Sequence, residues 1–244
     1  MVQISFSEAL DVLVAMREET AGHPDSESHR FLAHCLRHAA DSYGQFLQDL
    51  WVTFELPGRR GGFFVEFGAA NGIKFSNSCY LERALGWSGI LAEPAHIYYP
   101  ALRTARNCFI DDRCVWTRTG ERLLFNQPAI AAHATIDAFS DSDNLADTRR
   151  DGMRYEVETV SLMDLLAHWN APRRIDYLSV DTEGSELDIL QAFDFDRYDV
   201  RLISVEHNHT PKRDEIFAFL SGKGYRRKFE ALSFVDDWYV KTYG

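Results

Sequence analysis

From position 63 onward, short apolar runs alternate with stretches whose apolar residues recur at helical spacing. Residues 63–67 (FFVEF) form an apolar run broken only by Glu66, the pattern of a strand buried on both faces. Strands are likewise predicted at 89–92, 108–115, 175–180 and 202–205, with a terminal strand pair over 226–240. Between them helical spacing predicts helices at 78–85, 97–106, 162–169, 186–192 and 214–222. Residues 121–125 read as one arm of a small hairpin and 157–160 as extended chain. Residues 127–154 show neither period and are expected to form an exposed excursion, of a length that usually carries function or mobility. Upstream, residues 6–16 place Leu10, Leu13 and Val14 on one stripe, and 28–56 read as helical with Phe31, Cys35, Phe46, Leu50 and Trp51 on the apolar side. Pro57, Gly58, Gly61 and Gly62 separate this part from the first strand. The expected organisation is a helical extension over 1–60 that completes a pocket, followed by one α/β domain over 61–244.

Alternating strands and helices imply a mostly parallel sheet with helices on both faces, and such sheets bind ligands at the carboxyl ends of their strands. The expected strand ends carry Glu66 to Gly72, Glu93, Asp111 with Asp112, Asp181 to Glu183, and Glu206 to Asn208. Carboxylates from four or five strands therefore converge on one rim.

Composition narrows the partners. The 244 residues are 45% hydrophobic and carry a net charge of −11 without large Lys/Arg clusters, which disfavours nucleic acid or an anionic membrane as a partner. No apolar run is long enough to span a bilayer and the first thirty residues lack a secretory pattern, so a soluble cytoplasmic protein is expected, with homo-oligomerisation left open. Cys35, Cys79, Cys108 and Cys114 have no metal-ligand spacing and read as buried free thiols.

The segment Val65-Glu66-Phe67-Gly68-Ala69-Ala70-Asn71-Gly72 puts glycines where a strand turns into a helix, so a ligand can approach bare backbone. A nicotinamide fingerprint would need glycines at 68, 70 and 73; Ala70 and Ile73 stand at two of them, which counts against a nicotinamide-dependent oxidoreductase. Glu66 ahead of the turn suits a ligand with positive charge, as the sulfonium and amino group of S-adenosylmethionine provide. Glu93 follows the next strand at the spacing of an acid that binds both ribose hydroxyls, and Asp112 is a candidate acceptor for an adenine amino group. For chemistry, His207 is a candidate general base. Asp181 and Glu206, with His207 or Asn208, are a candidate Mg²⁺ site. Against the metal, Asp181 and Glu183 could instead cap the helix that follows them.

These residues resemble the FkbM-type methyltransferases from about Tyr43 to Tyr239. The likeness runs through Gln45-Phe46-Leu47-Gln48-Asp49, the glycine turn, Phe75-Ser76-Asn77, Gly86-Trp87-Ser88-Gly89 and Glu93-Pro94. Its most specific element is Asp181-Thr182-Glu183-Gly184-Ser185-Glu186, and it ends at Val205-Glu206-His207-Asn208. The resemblance implies a Rossmann-like class I methyltransferase sheet, S-adenosylmethionine as cofactor, and O-methylation of a small-molecule hydroxyl, on a sugar or a natural-product intermediate. It carries Gln45 and Asp49 to the cofactor pocket. Cofactor contacts are then expected from Glu66, Gly68, Ala69, Asn71, Gly72, Ser76, Asn77, Glu93, Pro94, Asp112, Arg113, Asp181 and Glu183. The chain departs from the family where Glu66 replaces a frequent Asp, and where Ser179 stands at a position often held by Lys. An amine acceptor and a non-catalytic cofactor-binding module are the alternatives.

Overall fold

Strand β1 (Phe63–Phe67) is buried along its whole length in the computed structural model, which describes residues 26–243 and Val14. The helix expected at 6–16 lies outside the described residues apart from Val14. The side chains of β1 alternate between two core layers. Phe63, Val65 and Phe67 enter one face of the sheet, while Phe64 enters the other with Trp51, Trp87, Tyr177 and Trp238. Glu66 falls on the second face and is buried there.

Strands β2 (Ser88–Ala92), β3 (Phe109–Asp111), β8 (Arg174–Val180) and β9 (Asp199–Glu206) extend the sheet in parallel on either side of β1. Strands β10 (Tyr225–Lys228) and β11 (Asp236–Lys241) close one edge. The order is β10-β11-β9-β8-β1-β2-β3, with β11 antiparallel to both its neighbours. The chain leaves β1 toward β2 and β3, then returns on the other side through β8 and β9. The crevice between β1 and β8 is therefore the switch point where a parallel sheet opens to a ligand.

Helix α1 (Glu27–His38) is capped by the Ser26 hydroxyl, which accepts from His29 N at 3.2 Å. Helix α2 (Gln48–Glu55) is separate from it. The continuous pattern read over 28–56 thus breaks at residues 42–47, where Asp49 takes the Ser42 hydroxyl at 2.5 Å and the amides of Tyr43 and Gly44 at 2.7 and 3.2 Å. A turn folded onto a buried carboxylate has no periodic signature. Helices α3 (Cys79–Leu85), α4 (Tyr99–Ala105), α6 (Leu162–His168), α7 (Glu186–Gln191) and α8 (Lys212–Gly222) are the predicted crossovers, each shifted by a few residues. Cys35, Cys79 and Cys114 are buried thiols and Cys108 is half-buried; none is in a disulfide.

The third strand predicted at 108–115 is two strands in different sheets. After β3 the chain turns at Asp112 and Arg113, and β4 (Cys114–Trp116) joins a second sheet of order β4-β7-β5-β6. That sheet contains β5 (Arg122–Gln127), β6 (Thr135–Ile136) and β7 (Met153–Ser161). Its own small core of Ala95, Cys114, Phe125, Ile136 and Val157 lies over the carboxyl ends of the main sheet. The excursion expected at 127–154 is consequently an ordered cover, with a short helix α5 (Ala146–Arg149). Buried Asn126 ties it down by donating to Ser140 Oγ at 2.8 Å and to the Arg149 carbonyl at 2.9 Å.

Candidate active site

The carboxyl ends of β1, β2, β8 and β9 open into a cavity of about 400 Å³ under the cover. Its floor is the turn after β1. Gly68 has φ +75°, and a Cβ there would lie 2.0 Å from the Asp181 carbonyl oxygen, so only glycine fits. The Gly68 amide donates to Ala92 O at 3.1 Å, which brings the turn against the end of β2.

On the β2 side stand Glu93, Pro94, Tyr98, Cys114, Val115 and Phe125, one carboxylate in a largely apolar wall. Glu93 is 5% exposed and accepts from the amides of Ala70 and Ala95, both at 2.7 Å. Burial pushes its carboxyl up to about 7, against the pull of those two donors. The acid therefore shapes the glycine turn while facing the cavity. Nearby, Asn77 donates to Ser179 Oγ at 3.0 Å, and its Oδ1 is a buried acceptor without a partner in the cavity wall.

On the β8 and β9 side the wall is acidic: Asp181, Glu183, Glu206 and Asp236, with Asn208 beside them. Glu183 has φ +59°, in the left-handed region that non-glycine residues rarely adopt. Its Oε2 accepts from Arg149 at 2.7 Å and from Asn208 Nδ2 at 3.1 Å. Arg149 is fully buried and is also held by Asp143 at 2.7 and 3.1 Å and by the His133 carbonyl at 2.8 Å. Asp181, Glu183 and Glu206 all hold their protons above the ordinary carboxylate range, first because they are buried; next, Asp236 repels Asp181, and Asp181 repels both Glu183 and Glu206. Asp236 is raised to about 6 by burial and is joined to α2 through Gln48 Nε2 at 2.6 Å.

Of the residues expected at the site, Gln45, Gly68, Ala69, Asn77, Glu93, Pro94, Asp181, Glu183 and Glu206 line the cavity. The others stand behind it or outside it. Glu66 accepts from Asn77 N at 2.8 Å and from the hydroxyls of Ser76 and Ser78, so it fixes the loop that presents Asn77. Asp49 holds the 42–44 turn, and Asn71 Oδ1 takes the amides of Ile73 and Lys74. Gly72 offers its carbonyl to buried Arg106 at 3.0 Å, which also donates to Ser76 Oγ. Asp112 is exposed and paired with Arg103 at 3.1 Å, while Arg113 chelates Asp111 at 2.8 and 2.6 Å. Both sit on the turn between the two sheets, which carries them off the rim.

His207 is also not brought to the cavity. Successive strand residues face opposite ways, so Glu206 inside puts His207 outside. The imidazole is 4% exposed, accepts from His209 N at 3.0 Å, and has Nε2 3.8 Å from Asp237 Oδ1. Burial holds its pKa below the ordinary value. The acid trio is completed by Glu183 in its place.

Several wall residues were not among those expected to line the site, although Phe46 and Gln48 lie in the Gln45 to Asp49 stretch of the family likeness. Phe46 comes from the turn before α2 and Gln48 from the first position of that helix, Phe234 from the approach to β11 and Asp236 from its first position, and Ile130, Asn144 and Leu145 from the cover. Phe75, Ile130 and Phe234 are exposed large apolar side chains at the mouth, and Phe46 lies 4.9 Å from Phe234 ring to ring. Clustered exposed rings would have been a signal only with the fold in hand.

Among solved structures, the chain is similar to precorrin-6y C5,15-methyltransferase from Geobacter metallireducens, at 13% identity over 80% of this chain and 87% of that one, with a TM-score of 0.40. It is similar to the METTL16 methyltransferase domain at 13% identity, over 80% of this chain and 66% of that one, with a TM-score of 0.40. A human methyltransferase 10 domain containing protein aligns at 13% identity over 80% of each chain, with a TM-score of 0.36. Comparison with curated protein sequences gives no match. The family model described as the methyltransferase FkbM domain matches residues 66–227, which takes in the glycine turn, Glu93, the Asp181 to Glu186 block and Glu206. This chain belongs to the FkbM methyltransferase domain family.

Proposed function

We propose that the protein transfers a methyl group from S-adenosylmethionine to a hydroxyl of a small molecule, a sugar or a natural-product intermediate. The carrying observation is a single cavity at the switch point with an apolar, one-acid wall after β2 and a many-acid wall after β8 and β9. The first wall suits a nucleoside: Glu93 offers carboxylate oxygens to ribose hydroxyls, and Tyr98, Val115 and Phe125 form an apolar slot for a base. Between the walls, Gly68 to Ala70 bare their backbone, and the unpartnered Asn77 Oδ1 suits a ligand ammonium. Bound there, the cofactor supplies an electrophilic methyl on a sulfonium. The chain's own task is alignment and proton removal. The cover and the rings of Phe46, Phe75 and Phe234 confine an acceptor beside the acidic wall, and alignment alone is worth about 7 to 11 kcal/mol of barrier. The hydroxyl proton leaves toward Asp181 and Glu206, directly to a carboxylate or with help from a divalent cation held there.

Calorimetry with S-adenosylhomocysteine tests the cofactor half of this reading. Binding to wild type that Glu93→Ala abolishes is the expected result. A folded wild-type protein that binds neither S-adenosylhomocysteine nor S-adenosylmethionine would remove the reading.

A further inference from the structure

We propose that Asp181, Glu183 and Glu206 form a binding site for one hard divalent cation of the Mg²⁺ or Mn²⁺ class. One oxygen from each of the three lies within 4.8 Å of the others. The residues come from two adjacent strand ends, Asp181 and Glu183 after β8 and Glu206 at the end of β9, so the sheet itself sets their spacing.

Two features separate this group from an ordinary surface cluster of acids. Glu206 is 9% exposed, its Oε2 is buried without a hydrogen-bond partner, and its carboxylate lies in the group whose oxygens approach within 4.8 Å. A buried carboxylate oxygen with no donor is costly unless a cation meets it. Glu183, in turn, is oriented: Arg149 and Asn208 both donate to its Oε2, and those bonds leave Oε1 free for a ligand. A carboxylate held by partners at one oxygen is the arrangement that fixes a metal ligand.

Charge points the same way. Among the described residues, Arg149 is the only cation paired with any of the three. Arg149 is shared with Asp143, so the trio is under-neutralised, and a divalent ion is the partner that would let its three acids ionise side by side. The donor set is all oxygen, with no sulfur and with His207 turned away, which favours Mg²⁺ or Mn²⁺ over zinc or copper. The site opens into the cavity that holds the glycine turn, so an ion there would also contact an acceptor oxygen and lower its pKa.

The proposal goes beyond the methyl-transfer reading and is tested without cofactor or acceptor. Mn²⁺ is titrated into the full chain by calorimetry and by electron paramagnetic resonance of free Mn²⁺, alongside Glu206→Gln and Glu183→Gln. Wild type should bind one ion, displaced by Mg²⁺ and by chelator, with a rise in Tm. Each variant should bind at least about tenfold more weakly. Without metal, Glu206→Gln should melt at or above wild type, since it removes a repelled buried acid, so its weak binding cannot be ascribed to misfolding; Glu183→Gln also gives up its pair with Arg149 and should melt lower. Wild type that binds neither Mn²⁺ nor Mg²⁺ at millimolar concentration overturns the proposal, as do variants that bind like wild type. Because no readout involves S-adenosylmethionine, a failure of the methyl-transfer reading would produce neither result.

Discussion

Arg149 and Glu183, thirty-four positions apart, meet at 2.7 Å and join the cover segment to the acidic wall of the cavity. Neither side chain reaches solvent to a useful degree, and Asp143 holds the far side of the guanidinium. Removing one partner of a buried pair leaves the other uncompensated.

Arg149→Met is therefore expected to cost about 3 to 5 kcal/mol of stability, read as a shift of the urea unfolding midpoint. Arg149→Lys keeps the charge but loses the two-pronged grip on Asp143, and should fall between wild type and Met. A loss below about 1 kcal/mol for Met would mean the pair behaves as an exposed one.

The Glu93 carboxyl gives a pH prediction with a definite sign. Its folded value is raised to about 7 from 4.5, so between those two pH values the unfolded chain ionises while the folded chain stays protonated. Stability from this group is thus present below 4.5 and is lost as pH rises to about 7. The Tm of Glu93→Gln relative to wild type should climb through that window and level off above it. A pH-independent difference would show that Glu93 titrates as an exposed acid.

Gly68→Ala places a methyl group 2.0 Å from the Asp181 carbonyl oxygen, in a backbone that already has positive φ. The two strand ends must part to admit it. Binding of S-adenosylhomocysteine should weaken by about tenfold or more, with a stability loss of about 1 to 3 kcal/mol. Affinity equal to that of wild type would mean that this contact does not shape the cofactor wall.

Once an acceptor has been found by screening, His207 and Glu206 should separate cleanly. His207→Asn should change kcat less than about tenfold, because the imidazole faces Asp237 and not the cavity. Glu206→Gln should lower kcat by about a hundredfold or more. A collapse of kcat in His207→Asn with the fold intact would return the base to His207.

Much of this was legible in the sequence where the physics is local. The central strands read directly because burial on both faces makes them continuous apolar runs, as in 63–67 and 175–180. The acids Glu93, Asp181 and Glu206 could be placed because they end such runs. The orientation of His207 was open to a parity argument that the sequence does contain: counting faces along β9 from Glu206 turns His207 outward. The split at Asp112 and Arg113 was legible only as three charges inside 108–115; that the chain there passes into a second sheet depends on β7, about forty residues further on, which the local pattern does not contain. Nor was the cover. Strand β6 has two residues, α5 has four, and their order comes from Asn126 and Arg149, whose partners are fixed only by the fold.

Gln48 and Asp236, hydrogen-bonded at 2.6 Å, are 188 positions apart, and both lie outside the 66–227 span that the family model matches. Phe46 and Phe234 flank that joint in the same way. The molecule thus divides its labour by chain position: the middle of the sequence supplies the slot proposed for a nucleoside and the acid trio, while the segments on either side meet at the mouth of the cavity, the proposed threshold for an acceptor. Exchanging the 42–48 and 230–236 loops as a matched pair would re-cut that threshold and leave the chemistry behind it in place.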